Sequence, residues 1–277
     1  MARRCTEPEV LVRNAQFQQW SALLTNRTKR SRSGEFLIQG VRPVTMAVRA
    51  GWPMAAILHP IGRSLSSWAK DILAQADPAA PRIAVAPDLL TELGQKEDAP
   101  EILAVGLVAD DDLRRLRADA GFLGLVLDRP TSPGNIGTLV RSAEALGASA
   151  VLVVGHAADP YDPVAVRAST GSLFAVAVVR QPSAQTVLDW VTVERERGLD
   201  LRILGTDEHG DAPLDGPAIG HRPALLVVGN ETSGMSRAWQ EACDQTLSIP
   251  MPGATASSLN AAVAGSIALY EAARHRA

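Results

Sequence analysis

Along the chain, apolar residues come in short runs and helical stripes that alternate in a βαβα rhythm, the pattern of an α/β protein. Residues 13–30 carry Phe17, Trp20 and Leu24 at i, i+3 and i+7, which predicts one polar helix with a narrow apolar stripe. Strands are predicted at 35–38, 54–58, 82–85 and 102–108, with helices at 41–50, 65–75 and 87–93 between them. The stretch 109–121, ending in DDDLRRLRADAG, is the most highly charged part of the sequence and reads as a linker. The pattern therefore divides into a domain over 1–108, a linker over 109–121 and a second domain over 122–277.

The second domain opens with a strand at 122–127 that is apolar on both faces, as central strands of a parallel sheet are. A turn, Arg129-Pro-Thr-Ser-Pro-Gly, leads into a helix over 135–146, where Ile136, Leu139, Val140, Ala143 and Leu146 share one face and Arg141 projects from the other. Strands follow at 150–154, 175–179, 201–204, 225–228 and 246–249, with helices at 163–168, 184–197 and finally 258–274. In open α/β sheets ligands sit beyond the carboxyl ends of the strands. Two such ends, one running into Gly229-Asn230-Glu231 and the other into Ile249-Pro-Met251, would make one pocket.

Composition sharpens this picture in one respect. The net charge of −3 hides an asymmetry: residues 1–50 carry nine Lys or Arg against three Glu, +6, while the remainder carries 18 basic and 27 acidic residues, −9. A basic arm on an acidic body points to a polyanion met through the first domain, with Arg27, Lys29, Arg30 and Arg32 as its densest run, although a solvated helix end has the same look. No apolar run is long enough to span a bilayer and the N-terminus lacks a secretory block, so a cytoplasmic protein is expected. Cys5 and Cys243 are too few for a disulfide framework or a zinc site, and the five histidines show no ligand spacing, so no metal is expected.

Three strand-end loops hold the candidate chemistry: 132–141, 229–234, and 249–251 running to Ser258-Leu259-Asn260. Turn chemistry explains each taken singly, since Ser132 before Pro133 starts helices, Asn230 tolerates a left-handed backbone, and Ser257 or Ser258 would cap the last helix. The turn Thr206-Asp207-Glu208-His209 is equally open between ligand contact and a polar turn. GxGxxG, the phosphate loop and GxSxG are all absent, which removes dinucleotide-binding, nucleotide-phosphate and hydrolase readings.

Taken together, NxxxxxR, GNExxG and IPM…SLN, in that order and spacing over residues 125–273, resemble the SPOUT superfamily of knotted methyltransferases, specifically the TrmH-type RNA ribose 2′-O-methyltransferases. The first half is similar to the small L30-like RNA-binding domain that precedes many of them. The phrases RPTSPGNIG, GHAADPYDP, RASTGSLF and GTDEHGD look close to the avilamycin-resistance enzymes, which methylate a uridine ribose in 23S ribosomal RNA. The resemblance implies a deep trefoil knot, S-adenosylmethionine as cofactor, and a homodimer in which an arginine reaches the partner's cofactor. Residue by residue it carries catalysis and substrate placement to Asn135, Arg141, Glu231, Ser258 and Asn260, and the adenosine site to Thr206, Gly229, Ile249, Met251 and Leu259. The alternatives are a transfer-RNA ribose methyltransferase and a non-catalytic RNA-binding or ribosome-assembly protein on the same fold.

A ribose hydroxyl is far from ionised at neutral pH, so it must lose its proton as it attacks a methyl group held within about 3 to 3.5 Å. Arginine is effectively always protonated. Arg141 is therefore expected to orient the hydroxyl and stabilise developing negative charge, leaving the proton acceptor unassigned.

Overall fold

A computed structural model describes residues 7–215, 219–253 and 258–276. Two compact units emerge: one formed by residues 1–108 together with Tyr161–Phe174, the other by Ala109–Pro160 and Ala175–Ala277. The segment Tyr161–Phe174 thus packs in the first unit, although sequence pattern places it within the second domain.

The first unit holds strands β1 (Glu9–Val10), β2 (Glu35–Gln39), β3 (Met54–Pro60), β4 (Arg82–Val85) and β5 (Leu103–Leu107), in the order β1-β4-β3-β5-β2. Its helices are α1 (Ala15–Thr25), α2 (Arg27–Ser33), α3 (Val41–Arg49), α4 (Ser67–Gln75) and α5 (Pro87–Gly94). The single helix expected over 13–30 is two. Asn26 leaves the helical region at φ −107°, ψ 98°, and its side chain accepts from the Lys29 amide, so it ends α1 and caps α2. Phe17, Trp20 and Leu23 face the core, with Leu24 half-buried beside them.

The second unit is built on a seven-stranded sheet. Its strands are β6 (Leu123–Asp128), β7 (Ala150–Val154), β8 (Ala177–Gln181), β9 (Arg202–Thr206), β10 (Ala212–Pro213), β11 (Ala224–Val228) and β12 (Gln245–Ser248). The order is β10-β12-β9-β11-β6-β7-β8, and every pairing is parallel. Helices α6 (Pro133–Ala145), α7 (Pro163–Ala168), α8 (Ala184–Glu196), α9 (Arg237–Ala242) and α10 (Ala261–Arg274) complete the chain, α7 lying in the first unit. Val126, Leu152, Val227 and Ile203 point from the sheet into a core closed by Trp190 of α8 and Trp239 of α9. On the opposite face α10 approaches closely because residue 265 is glycine: a Cβ there would lie 2.6 Å from Leu139 of α6 and 3.0 Å from Val228.

The α/β class is as expected, with corrections at several ends. The last helix begins at Ala261, not at residue 258, and its cap is Asn260, whose Oδ1 accepts from the amides of Ala262 and Val263. Ser257, weighed as that cap, lies outside the described residues, as does Cys5. The two-residue strands β1 and β10 and the short α9 gave no periodic signal at sequence level because they are too short for one. Among the described residues no helix is long and apolar enough to cross a membrane, and no group of three or more metal-ligating side chains gathers.

Candidate cofactor and methyl-transfer site

Strands β9, β11 and β12 lie side by side with their carboxyl ends in register: Val228 pairs with Thr206, and Thr206 with Leu247. Beyond them opens a cavity of about 610 Å³, within the range of small-molecule sites. Thr206, Gly229, Ile249, Met251 and Leu259 all line it, as do Glu231 and Ser258. The five positions expected to cradle a cofactor are thereby brought to one wall set. The Thr206 hydroxyl proton is used internally, donated to the Val227 carbonyl at 3.0 Å. Gly229 is required by the fold itself, since a Cβ there would lie 2.4 Å from the backbone of Gly234 and Met235.

Beside the cavity stands a chain of polar side chains drawn from three loops. Ser132 caps α6 with Pro133 in the first turn, and this start aims Asn135 toward the loop after β11. The Glu231 carboxylate accepts from Asn135 Nδ2 at 3.0 Å, from the Thr131 amide at 3.1 Å and from the Thr131 hydroxyl at 3.0 Å. The Ser132 amide adds a longer contact of 3.4 Å. Asn260 Nδ2 in turn donates to Asn135 Oδ1, also at 3.4 Å. Burial pushes the Glu231 carboxyl up, but hydrogen bonds from Asn135, its own backbone and Thr131 outweigh it and hold the group below its ordinary value of 4.5.

The cavity lining contains the carboxylates Asp207, Glu208 and Glu231 and, among the described residues, no lysine or arginine. An electronegative, partly apolar wall fits the cationic sulfonium and ammonium of S-adenosylmethionine better than a phosphate. Cys243 takes no part: burial, helped by Asp244, pushes its thiol up to about 11.

Arg141 lies apart from this cluster. It sits exposed on the outer face of α6, one turn beyond the exposed Thr138, and does not line the cavity of its own chain. Of the basic run in the first unit, Arg27 and Arg32 are exposed and Lys29 is half-buried. Arg30 leaves the set of phosphate contacts: its side chain is 3% exposed, donating to the Leu23 carbonyl at 2.8 Å and to Asp162 at 3.0 Å. Sequence reasoning missed Thr131 and the Asp128–Arg129 pair, which also reaches the loop after β11. The only signal was an aspartate closing a fully apolar strand.

The SpoU L30e-like domain matches residues 14–104 and the SpoU rRNA Methylase family matches residues 123–270. A 23S rRNA (uridine(2479)-2′-O)-methyltransferase of Streptomyces viridochromogenes is 53% identical over 276 residues, spanning 99% of this chain and 93% of that protein. The crystal structure of the SpoU methyltransferase AviRb from Streptomyces viridochromogenes, in complex with the cofactor AdoMet, matches with a TM-score of 0.89 at 52% identity, over 95% of this chain and 98% of that one. An AdoMet-bound rRNA methyltransferase from Sinorhizobium meliloti matches with a TM-score of 0.84 at 25% identity, over 96% and 97% of the two chains. A second domain matched nearly end to end, and half the residues shared along almost the whole length, make the chain a member of the SpoU rRNA methylase family.

Proposed function

We propose that this protein transfers a methyl group from S-adenosylmethionine to the ribose 2′-hydroxyl of a uridine in 23S ribosomal RNA, as a homodimer joined through its second domain. The observation that carries the reading is the junction of an electronegative cavity, holding Thr206, Gly229, Ile249, Met251 and Leu259, with the hydrogen-bonded chain Glu231–Asn135–Asn260. The identity of the 53% identical relative supports ribosomal over transfer RNA.

Bound there, S-adenosylmethionine supplies an electrophilic methyl group on a positively charged sulfur. The chain's own residues do the rest. The cavity walls hold the adenosine, while Asn135, Ser258 and Asn260 orient the ribose and Glu231 fixes Asn135 and Thr131. The 2′-hydroxyl would give up its proton to solvent as its oxygen takes the methyl group, while the carbon–sulfur bond breaks and its electron pair stays on sulfur, leaving a neutral thioether. Arg141, remaining protonated, stabilises the negative charge growing on that oxygen.

Because Arg141 does not line the cavity of its own chain, we assign it to the cavity of a second copy. The exposed surface of α6 and α10 supports this: Val263 and Tyr270 are 47% and 54% exposed, beside a groove of about 430 Å³ reaching Thr138. The same region carries the proposed trefoil knot, consistent with β12 lying near one edge of the sheet while α10 returns to pack on α6 and β11. In the first unit, Arg27, Lys29 and Arg32 provide phosphate contacts. The protein would act in the cytoplasm, and a methyl group on a drug-contacting ribose would lower susceptibility to that drug.

The test is to incubate the purified protein with labelled S-adenosylmethionine and, separately, 23S rRNA, 16S rRNA and total transfer RNA. Label in 23S rRNA alone is expected; label confined to transfer RNA would overturn the substrate assignment.

A further inference from the structure

Arg129 is one of three non-glycine residues with positive φ among the described residues, at +52°. A glycine would occupy this left-handed backbone without strain, so an arginine here needs a side-chain reason. The surroundings supply one. Its Nε lies 3.2 Å from both carboxylate oxygens of Asp128, and its Nη2 donates to Asp128 Oδ2 at 3.1 Å and to the Gly234 carbonyl at 3.0 Å. The Arg129 carbonyl accepts from Asn230 Nδ2 at 2.7 Å, and its amide donates to the Val154 carbonyl. The Asp128 side chain, 3% exposed, accepts from the Ser236 amide at 2.6 Å. Room for the arginine stem comes from Gly155, where a Cβ would lie 3.0 Å from Arg129 Cγ.

These bonds grip the loop after β11 at three points: residue 230 through a backbone carbonyl, residue 234 through the guanidinium, and residue 236 through the buried carboxylate. Between the first two grips the loop closes on itself, Asn230 and Gly234 exchanging backbone hydrogen bonds, and Glu231 is the first residue it encloses. Residues 230–234 also line the cavity. We infer that Arg129 is a positioning residue, whose left-handed backbone and forked guanidinium together hold the Glu231 loop against the start of α6 and so set one wall of the methyl-transfer site. This rests on the methyltransferase reading for its kinetic consequence, but the clamp itself can be read without cofactor.

The test compares Arg129→Gly, which keeps the backbone and deletes the fork, with Arg129→Lys, which keeps charge without the fork. Hydrogen exchange of the Asn230, Gly234 and Ser236 amides is measured on the cofactor-free protein, alongside kcat and KM for 23S rRNA. Both variants are expected to exchange at these three amides at least about tenfold faster, with β6 and β11 unchanged. In both, kcat is expected to fall about 100-fold while KM for RNA stays within about threefold, since a small misplacement of a catalytic loop acts on the chemical step. Wild-type exchange in the glycine variant, or full rescue by lysine, would overturn the inference. Loss of protection throughout β6 and β11 would overturn it too, making Arg129 a residue of folding. Should the wild type methylate no RNA, the functional reading fails, and the exchange data still decide the clamp.

Discussion

Replacing Glu231 by glutamine is the sharpest single perturbation of the site. The carboxylate receives four donors on two oxygens: the amide and hydroxyl of Thr131 on one, Asn135 Nδ2 and the Ser132 amide on the other. Glutamine offers one accepting oxygen and turns an NH2 group toward donors. Rotating the Asn135 amide would relieve that clash only by setting its nitrogen against Asn260 Nδ2, which now donates to Asn135 Oδ1. Hydrogen bonds to a charged group contribute roughly 1.5 to 3 kcal/mol each when buried. Glu231 is exposed, so water replaces much of this and a net loss of about 1 to 2 kcal/mol is expected at pH 7. For a protein of this size that is a fall in Tm of about 2 to 6 °C.

The same substitution has a pH signature. The Glu231 carboxyl is held below its ordinary 4.5 in the folded protein, so its contribution is complete above the unfolded value and disappears as pH falls through the folded one. The Tm gap between wild type and Glu231→Gln should therefore narrow on moving from pH 7 to below about pH 4. Thermal unfolding followed by circular dichroism at both pH values reads it directly. A gap of the same size at both, or none at pH 7, would refute the hydrogen-bond account of this residue.

Other residues give separable outcomes. Arg141→Ala should abolish methyl transfer while the dissociation constant for S-adenosylmethionine, by calorimetry, stays within about twofold. Mixing that variant with a cofactor-binding mutant should restore activity in heterodimers if Arg141 serves the partner's cavity. Gly229→Ala drives a Cβ to 2.4 Å from the backbone of Gly234 and Met235, so it should destabilise by about 1 to 3 kcal/mol and weaken cofactor binding in the same calorimetric assay. Arg30→Met, which strips Asp162 and the Leu23 carbonyl of their buried partner, should lower stability by about 2 to 4 kcal/mol in urea unfolding. Arg32→Ala, at an exposed position, should leave stability alone and reduce the salt slope of RNA binding by about 1.

What the sequence disclosed follows from how locally each feature is specified. Strands such as β6, β7 and β11 are continuous apolar runs buried along their length, and such runs announce themselves. That the strand ends at Gly229 and Ile249 share one pocket was legible because a parallel sheet sends all its strand ends to one side, whereas the full set with Thr206, Met251 and Leu259 came from the resemblance to TrmH-type enzymes. Arg30 was misread because charge patterning cannot distinguish an exposed arginine from one whose partner, Asp162, lies 132 residues away. The break at Asn26 is a contest between helix propensity and an Asn side chain that satisfies the next helix's amide, and a polar stretch gives no periodicity to reveal it. The clamp at Asp128 and Arg129 depends on a left-handed backbone and on contacts 105 and 108 residues apart, neither of which composition or spacing encodes.

Transfer of the methyl group to a ribose oxygen is tested most directly by alkaline hydrolysis. A 2′-O-methyl group blocks attack of that oxygen on the adjacent phosphate, so the modified linkage survives alkali that cleaves every other one. Digesting labelled 23S rRNA with alkali should therefore return the label in a dinucleotide whose first residue is uridine. Label recovered in a mononucleotide, with the methyl group on the base, would contradict ribose methylation.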